Sequence, residues 1–226
     1  MKFKILKNQQ WTLLFLISFF TLFYLVLPIK SFKSGTLWGI STLHWAIISI
    51  LIAIAHQVYV LLCWRLEIYH STITRIFKKQ GFLIYEIGFF ILFLGRIVSI
   101  IFLAFSNANT LPVPGFIRYS IAVIMIIPML YTFYSVVRYF GIHRAAGADH
   151  FLPEYRNKPF VRKGIYKYFS NAMYLFALFI IWIPGLLLGS ITAILLALFN
   201  YIYVWVHYYT LERSDFRIIY GASIKQ

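Results

Sequence analysis

Acidic residues are scarce in this chain. Six Asp and Glu stand against 21 Lys and Arg in 226 residues, a formal net charge of +15. Charged residues of both signs make up 12% of the sequence, roughly half the share of a soluble domain. Cysteine is nearly absent, and the lone Cys63 excludes an intrachain disulfide and reads as packing. There is no Gly-rich phosphate loop, since Gly141 and Gly147 are isolated, and no nucleophile elbow. His143 and His150 lack the tight paired spacing of zinc ligands, so no metal is expected. Internal repeats and low-complexity tracts are also missing.

What is present is apolar surface. Hydrophobic residues make up 62% of the chain, and the mean hydropathy is +0.80. A soluble fold of this size could not cover so much apolar surface with so few charges. Apolar runs at 11–27, 38–63, 82–105 and 116–137 are each long enough for a spanning helix. A last apolar block, 173–209, is too long for one crossing. Pro184-Gly185 and Gly189-Ser190 punctuate it, which predicts a tight hairpin of two helices. Unpaired backbone in lipid is costly, so the runs must be helical. The expected fold is all-α: a polytopic transmembrane helical bundle of about six spans with a C-terminal helical hairpin. Lys2, Lys4 and Lys7 before the first run also suit a signal peptide, but the run is long and no small-residue cleavage site follows it.

Charge placement tests this topology independently. Segments 1–10, 64–81, 138–171 and 210–226 would share one face, and they hold every Lys and Arg except Lys30, Lys33, Arg96 and Arg118. By the positive-inside rule both termini are expected in the cytoplasm. The positive charge then reads as topology and contact with anionic lipid headgroups. Nucleic-acid binding is a poor reading, because the basic residues lie in segments tied to the membrane. Two regions are expected: residues 1–137 with four spans, and residues 138–226 with a polar loop, the hairpin and a C-terminal segment.

The polar residues concentrate in the second region. Asp149, Glu154, Glu212 and Asp215, with His143, His150 and His207, lie in the loop or near the end of the last span. Asn200, Tyr203 and His207 share one side of that helix, and Tyr208 and Glu212 lie on a neighbouring stripe. Interhelical hydrogen bonding and an interfacial aromatic belt account for such stripes as readily as a wet cavity does. Arg96 lies deep in the third span and needs a partner or a cavity, with structural pairing the simpler reading.

Residues Pro159-Phe160-Val161-Arg162-Lys163-Gly164-Ile165-Tyr166 through Ser170-Asn171-Ala172-Met173-Tyr174, then an apolar hairpin, then Glu212, Phe216 and Tyr220-Gly221, carry a resemblance. Over residues 138–221 the pattern resembles the isoprenylcysteine carboxyl methyltransferase and phospholipid methyltransferase superfamily. It departs where that family has Arg-His-Pro, here Ser170-Asn171-Ala172, and where its second Glu is Arg213. The resemblance implies S-adenosylmethionine as cofactor. It implies cofactor contacts at Lys158, Pro159, Phe160, Val161, Tyr166, Asn171, Ala172, Met173, Tyr174 and Glu212. Tyr208 falls where the family places a substrate-contacting residue, and Arg96 is a candidate for the acceptor site. His207 is the candidate base, with a structural role equally open.

The expected activity is therefore methyl transfer to a membrane lipid or lipid-linked acceptor, first a phosphatidylethanolamine-type amine. A prenylcysteine carboxylate is the alternative acceptor. A nicotinamide-dependent reductase of related fold and a non-catalytic lipid-binding member are the other readings.

Overall fold

A computed structural model describes residues 4–156 and 158–221. Lys2 and Lys225, counted above in the charge pattern, lie outside the described residues. Five helical stretches are long and apolar enough to cross a membrane. Their main helices are α1 (Gln9–Val26), α2 (Thr42–His70), α3 (Gly81–Ser106), α4 (Gly115–Ser135) and, after a shorter apolar stretch α5 (Ala172–Leu188), α6 (Ile191–His207). An amphipathic helix, α7 (Arg213–Tyr220), follows. The chain is an all-α polytopic membrane bundle. Its described β-structure is a two-residue pair, Thr36–Leu37 with Ile40–Ser41.

That small hairpin corrects the expected start of the second span at Trp38. Trp38 has φ 53 and Gly39 has φ 76, so both sit in the turn. The helix begins after Ser41, whose side chain caps the His44 amide. The C-terminal hairpin turns at Gly189-Ser190. Gly189 takes the left-handed conformation, and Ser190 Oγ accepts from the Ala193 amide at 3.1 Å to start α6. Pro184 does not turn the chain; it sits in the first turn of the final helical piece of α5, where its missing N–H costs nothing.

Small residues let the helices approach closely. Ala46, Ala53, Ala104, Ala193 and Ala197 are fully enclosed, and Phe19 of α1 stacks on Phe199 of α6 with ring centroids 4.0 Å apart. Leu13, Ile17, Ile91, Leu94, Ile124 and Ile127 point outward, as lipid-facing residues must.

Two polar clusters mark the two ends of the bundle. At one end, buried Asn107 donates to the Ser31 and Ser34 carbonyls and accepts from Ser190 Oγ, each at 2.9 Å. Arg118 Nη1 donates to the Leu186 carbonyl at 2.9 Å, tying α4 to the end of α5. At the other end, Arg65 of α2 pairs with Asp215 of α7 at 2.9 Å and donates to the Lys4 carbonyl and Ser214 Oγ. Both partners of that ion pair are buried completely. The polar loop after α4 packs at this same end, as the short helices Ile142–Ala145, Ala148–Phe151 and Pro153–Arg156.

Candidate functional site

Two interruptions in otherwise regular helices build the site. The chain widens into a π-turn at Val136–Phe140, after α4, and into another at Tyr208–Glu212, after α6. Such turns shift the faces of a helix and often accompany functional sites. The first brings Phe140 to the loop, where its ring stacks on Tyr166 at 5.1 Å. The second brings both Tyr208 and Glu212 to the start of α5. There the Tyr174 hydroxyl donates to the Glu212 carboxylate, and the Tyr174 ring lies 5.6 Å from Tyr208.

These residues face a cavity of about 160 Å³ at the loop end of the bundle. Phe160, Tyr166, Asn171, Met173, Tyr174, Tyr208 and Glu212 line it, all residues singled out by the sequence. The remaining four expected cofactor contacts do not line it. Val161 packs against Ile165 and Tyr166, and Ala172 is buried in the same cluster. Lys158 and Pro159 offer their carbonyls to Arg144, at 3.4 and 3.0 Å, while Lys158 Nζ sits 3.6 Å above the Tyr155 ring. Their backbone thus holds the wall in place through Arg144, which itself lines the cavity.

Trp64, Arg144, Gly147, Asp149 and His150 also line the cavity without a site role expected from the sequence, as do Phe216 and Tyr220, which the motif includes without a site role. From the sequence, Asp149 counts as one of the polar residues of the loop and His150 as a zinc-ligand candidate set aside on spacing. His150 stacks on Trp64 with centroids 3.7 Å apart, its Nδ1 is 2.9 Å from Asp149, and its Nε2 is 3.8 Å from Asp215. Tyr220 donates to the other Asp149 oxygen at 2.8 Å. Burial pushes the Asp149 carboxyl up, but hydrogen bonds from His150 and Tyr220 outweigh it and hold the group below its ordinary value. Burial likewise opposes a charge on His150, yet Asp149 and Asp215 outweigh it and raise its pKa. Burial raises the Tyr166 phenol. Its hydroxyl is enclosed and has no hydrogen-bond partner.

A second cavity, about 320 Å³, lies between the helices beside the first. Its lining is mainly apolar, with Val60, Phe89, Phe90, Phe93, Phe133, Val136, Val137, Leu178 and Val204. Arg96, His207, His56 and Gln57 are its polar members. The two cavities share Trp64, Ala145, Met173 and Tyr174 as a common wall. So the structure divides the residues singled out by sequence. Glu212 and Tyr208 line the first cavity, His207 and Arg96 the second, and Met173 and Tyr174 both.

The chemistry of the first cavity suits a cationic ligand that also carries hydroxyls. Two carboxyl groups, Asp149 and Glu212, line it together with the aromatic residues Trp64, Phe140, Tyr166, Tyr208 and Tyr220. The unpartnered Tyr166 hydroxyl is a buried group that such a ligand would satisfy. Among the described residues no group of three His, Cys, Asp or Glu could hold a metal ion. Residues 117–223 match the sequence profile of the family described as phospholipid methyltransferase. No curated protein and no solved structure matches the chain.

Proposed function

We propose that this chain, which over residues 117–223 matches the phospholipid methyltransferase family, is an S-adenosylmethionine-dependent methyltransferase acting on a phosphatidylethanolamine-type amine. The observation that carries this reading is the shared wall of Trp64, Ala145, Met173 and Tyr174 between a polar cavity and an apolar one. A water-soluble donor and a lipid-borne acceptor need such neighbouring chambers. Residues 138–226 supply most of the donor chamber. Residues 1–137 supply much of the acceptor chamber. By the distribution of Lys and Arg, the donor chamber faces the cytoplasm. The exposed Lys78, Lys79, Arg162, Lys163 and Lys167 would meet anionic headgroups at that surface.

The residues would divide the work by chemistry. S-adenosylmethionine would supply an electrophilic methyl group on a sulfonium centre. Glu212 and Asp149 would balance the positive charge of the cofactor, and the Tyr166 hydroxyl and the Asn171 amide would meet its polar groups. Trp64 and Tyr174 would present aromatic faces near the methyl group and keep water from it. An amine attacks only when neutral, so an imidazole nitrogen of His207, in the acceptor chamber, would take its proton. No covalent enzyme intermediate is needed. The main contribution is alignment of the nucleophile with the methyl group.

The test is calorimetric binding of S-adenosylmethionine and S-adenosylhomocysteine to the detergent-purified chain, then transfer of a radiolabelled methyl group to defined lipids. Binding of both, with label on phosphatidylethanolamine, supports the reading. Label on a prenylcysteine carboxylate instead would replace the acceptor. No binding of either at millimolar ligand would sink the methyltransferase reading.

A further inference from the structure

The acceptor chamber contains a positive charge that no carboxylate among its described lining residues balances. Arg96 is 5% exposed and His56 4%. The guanidinium is fixed by an amide and an imidazole: its Nε donates to Asn200 Oδ1 at 2.9 Å, and its Nη1 lies 3.3 Å from His56 Nδ1. Asn200 is held in turn by donating to the Leu196 carbonyl at 2.8 Å. Arg96 Nη2 and His56 Nε2 are both buried without a hydrogen-bond partner. Among the described residues no carboxylate pairs with Arg96. A guanidinium buried beside a mainly apolar cavity in a membrane protein needs a counter-charge or a functional reason. His207 lines the same cavity.

We propose that Arg96 and His56 form an oxyanion subsite for the acceptor, one that binds a phosphodiester or carboxylate group. Arg96 Nη2 and His56 Nε2 donate to its oxygens, and the surrounding Phe89, Phe90 and Phe93 hold the adjoining apolar chain. The pairing of Arg96 with Asn200 and His56 aims the planar fork before any ligand arrives, which lowers the cost of binding. In an ethanolamine phospholipid the phosphodiester is two carbons from the amine. Holding the first therefore positions the second towards the wall shared with the donor chamber. A prenylcysteine offers the same oxyanion chemistry through its carboxylate. In that case the group bound by Arg96 would be the one methylated. The assignment rests on the methyltransferase reading for its purpose, but the binding chemistry stands separately.

The experiment uses the full chain in neutral maltoside micelles. Three amphiphiles are titrated and followed by calorimetry: dodecylphosphocholine, N-acetyl-S-farnesylcysteine and the neutral monolaurin. Binding of S-adenosylhomocysteine is measured in parallel. At least one of the two oxyanion-bearing amphiphiles, the zwitterionic dodecylphosphocholine or the anionic N-acetyl-S-farnesylcysteine, should bind about tenfold or more tightly than monolaurin. The preferred one identifies the source of the oxyanion. Arg96→Met should abolish that preference and leave S-adenosylhomocysteine binding within about twofold, and Arg96→Lys should keep part of it. Equal binding of all three amphiphiles by the unmodified protein overturns the subsite, whether or not the variants fold. So does a folded Arg96→Met protein that still prefers the anion. Failure of S-adenosylhomocysteine to bind, with anion preference intact, would overturn the methyltransferase reading and leave the subsite standing.

Discussion

The Tyr174 hydroxyl donates to the Glu212 carboxylate across the C-terminal hairpin, joining residues 38 positions apart. Each sits where its element begins or breaks: Tyr174 in the first turn of α5, Glu212 at the end of the π-turn after α6. The bond fixes the carboxylate at the edge of the first cavity and leaves its remaining acceptor capacity for a ligand.

Replacing that carboxylate should remove a charged acceptor and little volume. Glu212→Gln should weaken S-adenosylhomocysteine binding by about ten- to a hundredfold, the range of a hydrogen bond to a charged group. Tyr174→Phe keeps the ring in the shared wall and should cost less. Calorimetry on both variants decides it. Affinities within twofold of the unmodified protein in both would remove this pair from the cofactor site.

Gly147 has φ 91, and a Cβ there would come within 2.7 Å of Trp64 Cε2. Gly141 has a similar φ of 93, but a Cβ there meets nothing within 4 Å. The two positions separate backbone strain from collision. Gly141, at φ 93 and ψ 132, lies outside the left-handed helical region in a conformation that only glycine adopts readily, and Gly141→Ala should cost about 1–3 kcal/mol from backbone strain alone. Gly147→Ala should add overpacking of about 1–3 kcal/mol and displace Trp64 from the wall shared by the cavities. Ligand binding should therefore fall in Gly147→Ala and survive in Gly141→Ala. Equal effects on binding would mean that Trp64 can yield and that the wall is not rigid.

The Arg65–Asp215 pair ties α7 to the bundle beneath the candidate site. Asp215→Asn leaves a buried guanidinium without its counter-charge, a loss of about 3–5 kcal/mol when one partner of a buried pair is removed. Thermal unfolding in detergent should shift down markedly. Arg65→Met with Asp215→Leu removes both charges and should recover much of the loss. A double variant less stable than the single one would show that the bonds of Arg65 to Lys4 and Ser214 matter more than the charge.

Much of this architecture was legible because lipid makes hydropathy decisive. The apolar runs set the spans, and Gly189-Ser190 set the hairpin turn, where a left-handed residue and a serine cap coincide. Trp38 misled because it extends an apolar run, whereas Gly39 beside it is what turns the backbone. The C-terminal motif pointed to Phe160, Tyr166, Asn171, Tyr174 and Glu212, which do converge. Trp64 and His150 could not be read in this way. Their stacking joins positions far apart in the chain, one in an apolar helix and one in a polar loop, and neither leaves a periodic trace. The π-turns were equally invisible, since one extra residue per turn does not change the hydrophobic pattern of a helix end.

The His150–Asp149 contact should give stability a defined pH dependence. His150 has its pKa raised from 6.5, so its contribution is complete below 6.5 and is lost as pH rises through the raised value. Asp149 has its pKa lowered from 3.8, so its contribution is complete above 3.8 and is lost as pH falls through the lowered value. Both contributions are therefore complete between these two ordinary values. Thermal stability should hold through that window and decline on the alkaline side, with a slope of at most about 1.4 kcal/mol per pH unit for one proton. His150→Gln should flatten the alkaline decline, because no charge is left to lose. It should also loosen the Trp64 stack, so ligand binding should weaken at every pH while its pH dependence shrinks. An unchanged alkaline limb in His150→Gln would assign that limb to another group.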